Sequence, residues 1–197
     1  MDRTLSITLF QRLLGAEFFH LAPAIKTLHG RRGEFRYAGI ASVRRGRGLP
    51  KALLARIARL PPAMEDAPIA IRFNASPESE SWQRRFGSAS MQTRLQARDG
   101  LLKERLGPCT FAYRLVRVDK ELAWTVERAR VLGIVPLPAK LFDGVRCRES
   151  QDDAGRYCFF VEARLPVLGL LIRYEGWLEP DDGAGTAAVS AASGRIA

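Results

Sequence analysis

The sequence predicts an α+β protein, in which N-terminal helices pack on a curved, mainly antiparallel β-sheet or partial barrel. Two observations predict this class. Apolar residues recur at helical spacing within residues 4–29 and again within 50–60. From residue 67 onward the period changes to two, and turn signals separate most of the alternating segments. The connections between these segments are too short for crossover helices, so we expect an antiparallel sheet. Seven to nine such strands in a row are expected to curl.

The N-terminal third contains two or three predicted helices and one strand. Residues 4–29 predict one or two helices, the second beginning at Pro23 and ending before Gly30. Residues 35–44 alternate weakly and predict a strand, and a glycine-rich break follows. Residues 50–60 predict an amphipathic helix that ends at Pro61. We expect the apolar face of this helix to pack on the core. Contact with an anionic membrane is the less favoured alternative. The apolar face comprises Leu53, Leu54, Ile57 and Leu60. The opposite, basic face comprises Lys51, Arg56 and Arg59.

The remaining chain predicts strands with one interruption. The alternation is clearest in residues 69–73, 91–95, 111–115, 122–126, 157–163 and 170–174. Residues 132–143 contain two prolines and an apolar set, which indicates a loop or short helix over one end of the sheet. We therefore expect an apolar cavity that opens near this segment. Residues 1–180 are predicted to form a single domain, and the small, polar residues 181–197 a disordered tail.

The charge of the chain is concentrated at its front. Residues 1–60 contain twelve Arg and Lys against three acidic residues, and the formal net charge of the whole chain is +10. Such an asymmetry indicates a surface that meets something anionic. The glycine-spaced arginines Arg44, Arg45 and Arg47 precede a predicted helix start, where backbone N–H groups could also hold an anion. The alternative is an ordinary turn between a strand and a helix.

Arginines and aromatic residues on the predicted strands are the other candidate ligand-binding residues. Bidentate guanidinium contacts could hold an anionic group, and aromatic rings an apolar body. The alternative is a solvated sheet face with cross-strand ion pairs over a packed aromatic core. The complete candidate set is Arg44, Arg45, Arg47, Arg84, Arg94, Arg105, Tyr113, Trp124, Tyr174 and Trp177.

Signals for catalysis, metal ions and cofactors are sparse. The three cysteines are far apart, so we expect neither disulfides nor a cysteine zinc site, and no catalytic thiol. Of the two histidines, His29 lies in the last turn of a predicted helix, where a positive charge interacts favourably with the helix C-terminus. Glu78 and Glu80 lie in a Ser/Pro-rich turn and are expected to be solvated. No catalytic residue, metal ligand or cofactor is predicted. Neither a leader peptide nor a long apolar span is evident, which predicts a cytoplasmic protein.

A set of spaced words in the sequence resembles a known family. The words are LFQRLLG (9–15), LHG (28–30), RRGRG (44–48), LPP (60–62), WQRRFG (82–87), ERLGP (104–108), LGIVPLP (132–138) and GLLIRYEGWL (169–178). Together they resemble the bacterial family called domain of unknown function 4166, over about residues 8–180. Members of that family occur alone or fused behind a nucleotide-binding dehydrogenase-like domain. This chain has no G-x-G-x-x-G fingerprint after a strand. The resemblance therefore implies an oxidoreductase as a partner and supplies no catalytic residues.

Three functional hypotheses follow. The first is a module that binds a small amphipathic or acidic ligand, accessory to an oxidoreductase. The second is an enzyme of unknown reaction that shares a substrate with a dehydrogenase partner. The third is a module that binds an anionic surface or a protein through the basic N-terminal third. Nucleic acid is not favoured as a partner, because no ribonucleoprotein signature occurs, and membrane contact is the less favoured form of the third hypothesis.

Overall fold

The protein is a closed antiparallel β-barrel, as a computed structural model that describes residues 7–87 and 89–181 shows. Ten of its eleven strands form the barrel, and the short β8 pairs with β7 alone. The strands are β1 (Gly33–Arg45), β2 (Met64–Ala75), β3 (Ser79–Phe86), β4 (Ala89–Arg98), β5 (Leu101–Leu106), β6 (Cys109–Val118), β7 (Glu121–Val131), β8 (Val135–Leu137), β9 (Gly144–Gln151), β10 (Tyr157–Leu165) and β11 (Gly169–Pro180). The α+β prediction is wrong, because helices form no layer against this sheet. The predicted disordered tail lies, beyond Asp181, outside the described residues.

Closure of the barrel depends on pairings between distant parts of the chain. Each strand from β1 to β7 pairs with its neighbour in sequence, and β9, β10 and β11 do the same. The pairing of β7 with β9 joins the two sets, and the pairing of β1 with β11 closes the circle. A partial barrel would leave two edges with unpaired backbone groups, whereas the closed barrel leaves none among these ten strands.

Two glycines allow the closing strands to approach each other closely. A Cβ atom at Gly39 of β1 would collide with the carbonyl of Trp177, and one at Gly176 of β11 would collide with the carbonyl of Ile40. Glycine within a strand commonly marks such a close approach or a sharp bend. These two glycines therefore permit the close approach of the β1 and β11 backbones.

Helices fill one end of the barrel, which we call the plug. It comprises α1 (Leu9–Leu14), a 3₁₀ helix (Gly15–His20) and α2 (Pro23–Gly30). Thr8 and Gln11 form a capping box at the start of α1, and Pro23 occupies the first turn of α2, as expected. Backbone N–H groups tie the plug to the strand ends: that of Ala22 donates to the carbonyl of Lys120 at 2.8 Å, and that of Ala24 to the side chain of Gln151 at 2.8 Å. Apolar side chains of the plug enter the barrel, among them Leu9, Phe10, Ile25 and Leu28.

The third helix lies at the opposite end. Helix α3 (Leu49–Ile57) connects β1 to β2, and Ala55 is its only buried residue. Leu53 of its predicted core face is 60% exposed. The expectation that this face packs on the core is therefore wrong. The plug, and not α3, fills the barrel from one end, and α3 only borders the opening at the other end.

Candidate functional site

The barrel encloses an apolar cavity of about 500 Å³ on the open side of the plug. Its wall is built by alternate residues of the strands, whose side chains point inward at every second position. Ile57 of α3 and Phe142, in a short 3₁₀ helix (Ala139–Phe142), stand at the opening. The predicted cavity near residues 132–143 is therefore confirmed, since Leu137, Leu141 and Phe142 of that segment line it.

A stack of side chains separates the cavity from the plug. Phe10 of α1 is fully buried and contacts the rings of Trp82 and Trp124, with centroids 6.3 and 5.8 Å away. The guanidinium of Arg84 lies over the Trp82 ring at 4.7 Å. Arg84 also lines the cavity. The positively charged side chain of Arg84 therefore lies at the inner end of a mainly apolar chamber.

Arg84 belongs to a buried polar cluster, which we call the floor cluster: Arg84, Thr93, Glu104 and Tyr113. Its Nη1 donates a hydrogen bond to Oγ1 of Thr93 at 2.9 Å. Burial raises the pKa of Glu104, while the charge of Arg84 and hydrogen bonds from Thr93 and Tyr113 lower it to a smaller extent. The part of the Glu104 side chain that remains accessible faces the cavity rather than bulk water. Burial likewise raises the pKa of Tyr113 well above its usual range, so the phenol stays a hydrogen-bond donor.

A second buried cluster connects the cavity to the plug. Nε2 of His29, in α2, lies 2.6 Å from Oε2 of Glu149, and both residues are buried. Tyr157 hydrogen-bonds the same carboxylate, and burial raises the pKa of this phenol well above its usual range. Glu80 accepts a hydrogen bond from Nε1 of Trp82 at 2.9 Å, and its burial raises its pKa. The expectation of a solvated Glu80 is wrong, because β3 begins at Ser79 and places Glu80 on the inner face.

The structure brings four of the ten predicted site residues together. Arg84, Tyr113, Trp124 and Tyr174 all line the cavity. Burial raises the pKa of Tyr174 far above its usual range, so this phenol is also a neutral polar group within the chamber. These four residues therefore belong to one candidate site.

The other six predicted residues lie outside the cavity. Arg94 and Arg105 are exposed on the outer wall, and Arg45 and Arg47 flank the loop that leads into α3. Arg44 and Trp177 line a shallow depression on the outside of the barrel. Predicted residues on the strands divide between the cavity and the outer surface, because successive strand residues point to opposite faces of the sheet.

Sequence reasoning missed several cavity residues that carry polar atoms, among them Glu104, Cys147, Glu149 and Tyr157. A signal for one of them was present, because Glu104 shares the parity of Leu102 and Leu106, which are apolar residues of the same strand. Only arginines and aromatic residues were considered as ligand-binding residues. Burial raises the pKa of the Cys147 thiol far above its usual range, which leaves it protonated. All three cysteines are free thiols.

The fold and the cavity together define a class: a closed β-barrel with one end plugged by helices and an apolar chamber with a polar inner end. The chain belongs to the family described as Domain of unknown function (DUF4166), whose sequence profile matches residues 21–178. The resemblance noted from the sequence is thereby confirmed. No curated protein matches the chain.

Residues 7–87 and 89–181 contain neither a membrane-spanning helix nor a cluster of metal-ligating side chains. Within residues 7–87 and 89–181, no helix has the length and apolar character that crossing a membrane requires. In the same residues, no three His, Cys, Asp or Glu side chains come together as a metal site would need.

Proposed function

We propose that the protein binds a small amphipathic molecule inside the barrel, with its apolar body in the chamber and a neutral polar head at the floor cluster. The observation that carries this proposal is a chamber of about 500 Å³ with an inner end formed by Arg84, Glu104 and Tyr113. Ligand sites of this size are mostly apolar, and a few polar groups set the orientation of the ligand.

The balance of charge at the floor cluster favours a neutral head over an acidic one. Arg84 is a cation among several acids, since Glu104 and Glu149 also line the chamber. A carboxylate ligand would add a third acid to this set. A hydroxyl group could instead donate to Glu104 and accept from Arg84. We therefore prefer an alcohol or a carbonyl compound to the acidic ligand considered from the sequence.

Displacement of a fluorescent probe tests this proposal. Nile red is expected to bind the wild-type protein and to be displaced by decanol, decane and decanoate in that order of potency. A hydrogen bond to a charged group contributes about 1.5 kcal/mol, so decanol should be about tenfold more potent than decane. The double variant Arg84→Met/Glu104→Met, which leaves no hydrogen-bonding side chain at either position, should remove this difference while keeping the affinity for decane.

A matched pair of variants tests the location of the ligand. Ala163 of β10 lines the chamber, so Ala163→Trp should fill it and abolish binding of Nile red. Ala123 lies on β7 between the inward-facing Leu122 and Trp124, so Ala123→Trp places the same ring outside. Ala123→Trp should bind the probe as the wild type does. Equal binding by both variants, each folded by circular dichroism, would contradict the proposal.

The oxidoreductase partnership implied by the family resemblance stays a prediction. A ligand with an alcohol or carbonyl head is the kind of substrate that such an enzyme would oxidise or reduce, and this supports the link. The three free thiols are typical of a reducing compartment and support the proposed cytoplasmic location.

A further inference from the structure

Exposed apolar side chains surround the open end of the barrel. They lie on three segments: α3, residues 132–135 from the β7–β8 turn to the start of β8, and the turn between β10 and β11. We call these residues the apolar rim, and they comprise Leu49, Leu53, Ile57, Leu132, Ile134, Val135 and Val167. Leu49 is 87% exposed and Val167 is fully exposed. Scattered apolar residues on a surface are normal, but a group that rims a cavity is typical of an interaction site.

The three segments adjoin the mouth of the cavity. The N–H group of Leu132 donates to the carbonyl of Pro108 at 2.7 Å, which links two neighbouring turns. Gly107 approaches the carbonyl of Ile57 so closely that a Cβ atom would lie 2.7 Å from it. Residues within or directly beside the three segments line the cavity, among them Ile57 of α3, Val131 at the end of β7 and Leu168 of the turn between β10 and β11. The apolar rim is therefore continuous with the cavity wall.

The same end of the molecule is cationic. Residues 45–63 contain five basic and no acidic residues, which we call the basic rim: Arg45, Arg47, Lys51, Arg56 and Arg59. In the part of the chain that the structure describes, no carboxylate forms an ion pair with any of the five. Cations at the plugged end are different, since Arg117 pairs with Glu17 and Arg156 with Asp152. Arg31, Arg32 and Arg36 also belong to the basic N-terminal third, but β1 carries the chain from the plugged end to the open end and separates them from the basic rim.

We propose that the open end docks on an anionic lipid bilayer, from which an apolar molecule enters the cavity. Apolar side chains of the apolar rim would insert at the level of the headgroups, and the basic rim would lie against anionic headgroups. The identity of the cargo rests on the proposed function, whereas the docking itself rests on the two rims. A bilayer suits this surface, because the apolar rim encircles the entrance through which a poorly soluble ligand has to pass.

Vesicle flotation with the ligand-free protein tests this proposal. The wild type should bind vesicles that contain about a third phosphatidylglycerol in phosphatidylcholine, and this binding should weaken with salt, because exposed charges are screened. Binding to pure phosphatidylcholine should be at least tenfold weaker. The apolar variant Leu53→Ser/Ile134→Ser/Val167→Ser and the basic variant Arg47→Gln/Arg56→Gln/Arg59→Gln should each lose at least tenfold in partitioning.

The control variant removes the same charge from elsewhere. Arg72, Arg94 and Arg98 are exposed on β2 and β4, away from the two rims. Replacing all three by Gln should change partitioning by less than twofold. A loss as large as that of the basic variant would show a mere net-charge effect and overturn the proposal. Rim variants that float like the wild type would also overturn it. So would a wild-type protein that is a dimer by light scattering and binds no vesicles, since the apolar rim would then be the interface between two copies.

The cavity variant separates this proposal from the proposed function. Ala163→Trp should float with anionic vesicles like the wild type although it binds no Nile red. If the wild type binds Nile red but no vesicles, docking is wrong and the binding function stands. If it binds vesicles but no probe, docking stands and the binding function is wrong.

Discussion

The contact between His29 and Glu149 should account for much of the attachment of the plug to the barrel. His29 is 1% exposed, its Nε2 lies 2.6 Å from the carboxylate of Glu149, and its ring stacks on Phe10 at 3.6 Å. Truncating the buried His29 ring leaves a cavity and removes a hydrogen-bond partner of the buried Glu149 carboxyl, which together cost about 3–5 kcal/mol. Loss of the ring contact adds about 0.5–1.5 kcal/mol. We therefore expect His29→Ala to lower the free energy of unfolding by about 4–6 kcal/mol and Tm by roughly 10–20 °C, at about 2–4 °C per kcal/mol for a chain of this size.

Urea unfolding followed by tryptophan fluorescence measures this loss, because the Trp82 ring lies 5.9 Å from that of His29. His20 is exposed and supplies the matched control, so His20→Ala should change stability by less than about 0.5 kcal/mol. A double-mutant cycle of His29→Ala with Glu149→Ala should give a coupling of about 1–3 kcal/mol. A coupling near zero, or a His29→Ala variant as stable as His20→Ala, would refute the reasoning.

Two further predictions concern ionisable groups inside the barrel. Burial raises the pKa of Glu80 in the folded protein. The contribution of Glu80 to the free energy of unfolding is therefore complete below the ordinary pKa of a glutamate, and it is lost as pH rises through the folded-state pKa. Glu80→Gln, which keeps an acceptor for Trp82, should therefore stabilise the protein at pH 8 and lose that advantage at pH 4 in thermal melts; an advantage that grows toward acid pH would contradict this sign. Burial also keeps Cys147 protonated, so iodoacetamide should label it slowly at pH 7 in the folded protein and rapidly after unfolding. Rapid labelling at pH 6, read by peptide mass spectrometry, would show a reactive thiol instead.

The local pattern of the sequence was sufficient to predict most individual elements. Pro23 marked the start of α2, and alternation of apolar residues predicted the strands on both sides of residues 132–143. Alternation depends only on neighbours in the chain, since strand side chains point to opposite faces in turn. It also placed Trp124 and Tyr174 on the apolar face that becomes the cavity wall.

Closure of the sheet and the position of charges inside it were decided by the tertiary structure. The pairing of β1 with β11 joins segments that no local pattern relates, so the sequence predicted a partial barrel where the chain forms a closed one. Arg84 was among the predicted ligand-binding residues, with a solvated sheet face as the alternative, whereas Glu104 was not singled out. Their positions follow from strand parity, and their burial is tolerable because Arg84, Thr93 and Tyr113 surround the carboxylate of Glu104. These four groups lie on four consecutive strands, β3 to β6, and closure of the barrel turns the face that they share into an interior. This is why the sequence predicted the wall of the cavity and missed the acids of its inner end.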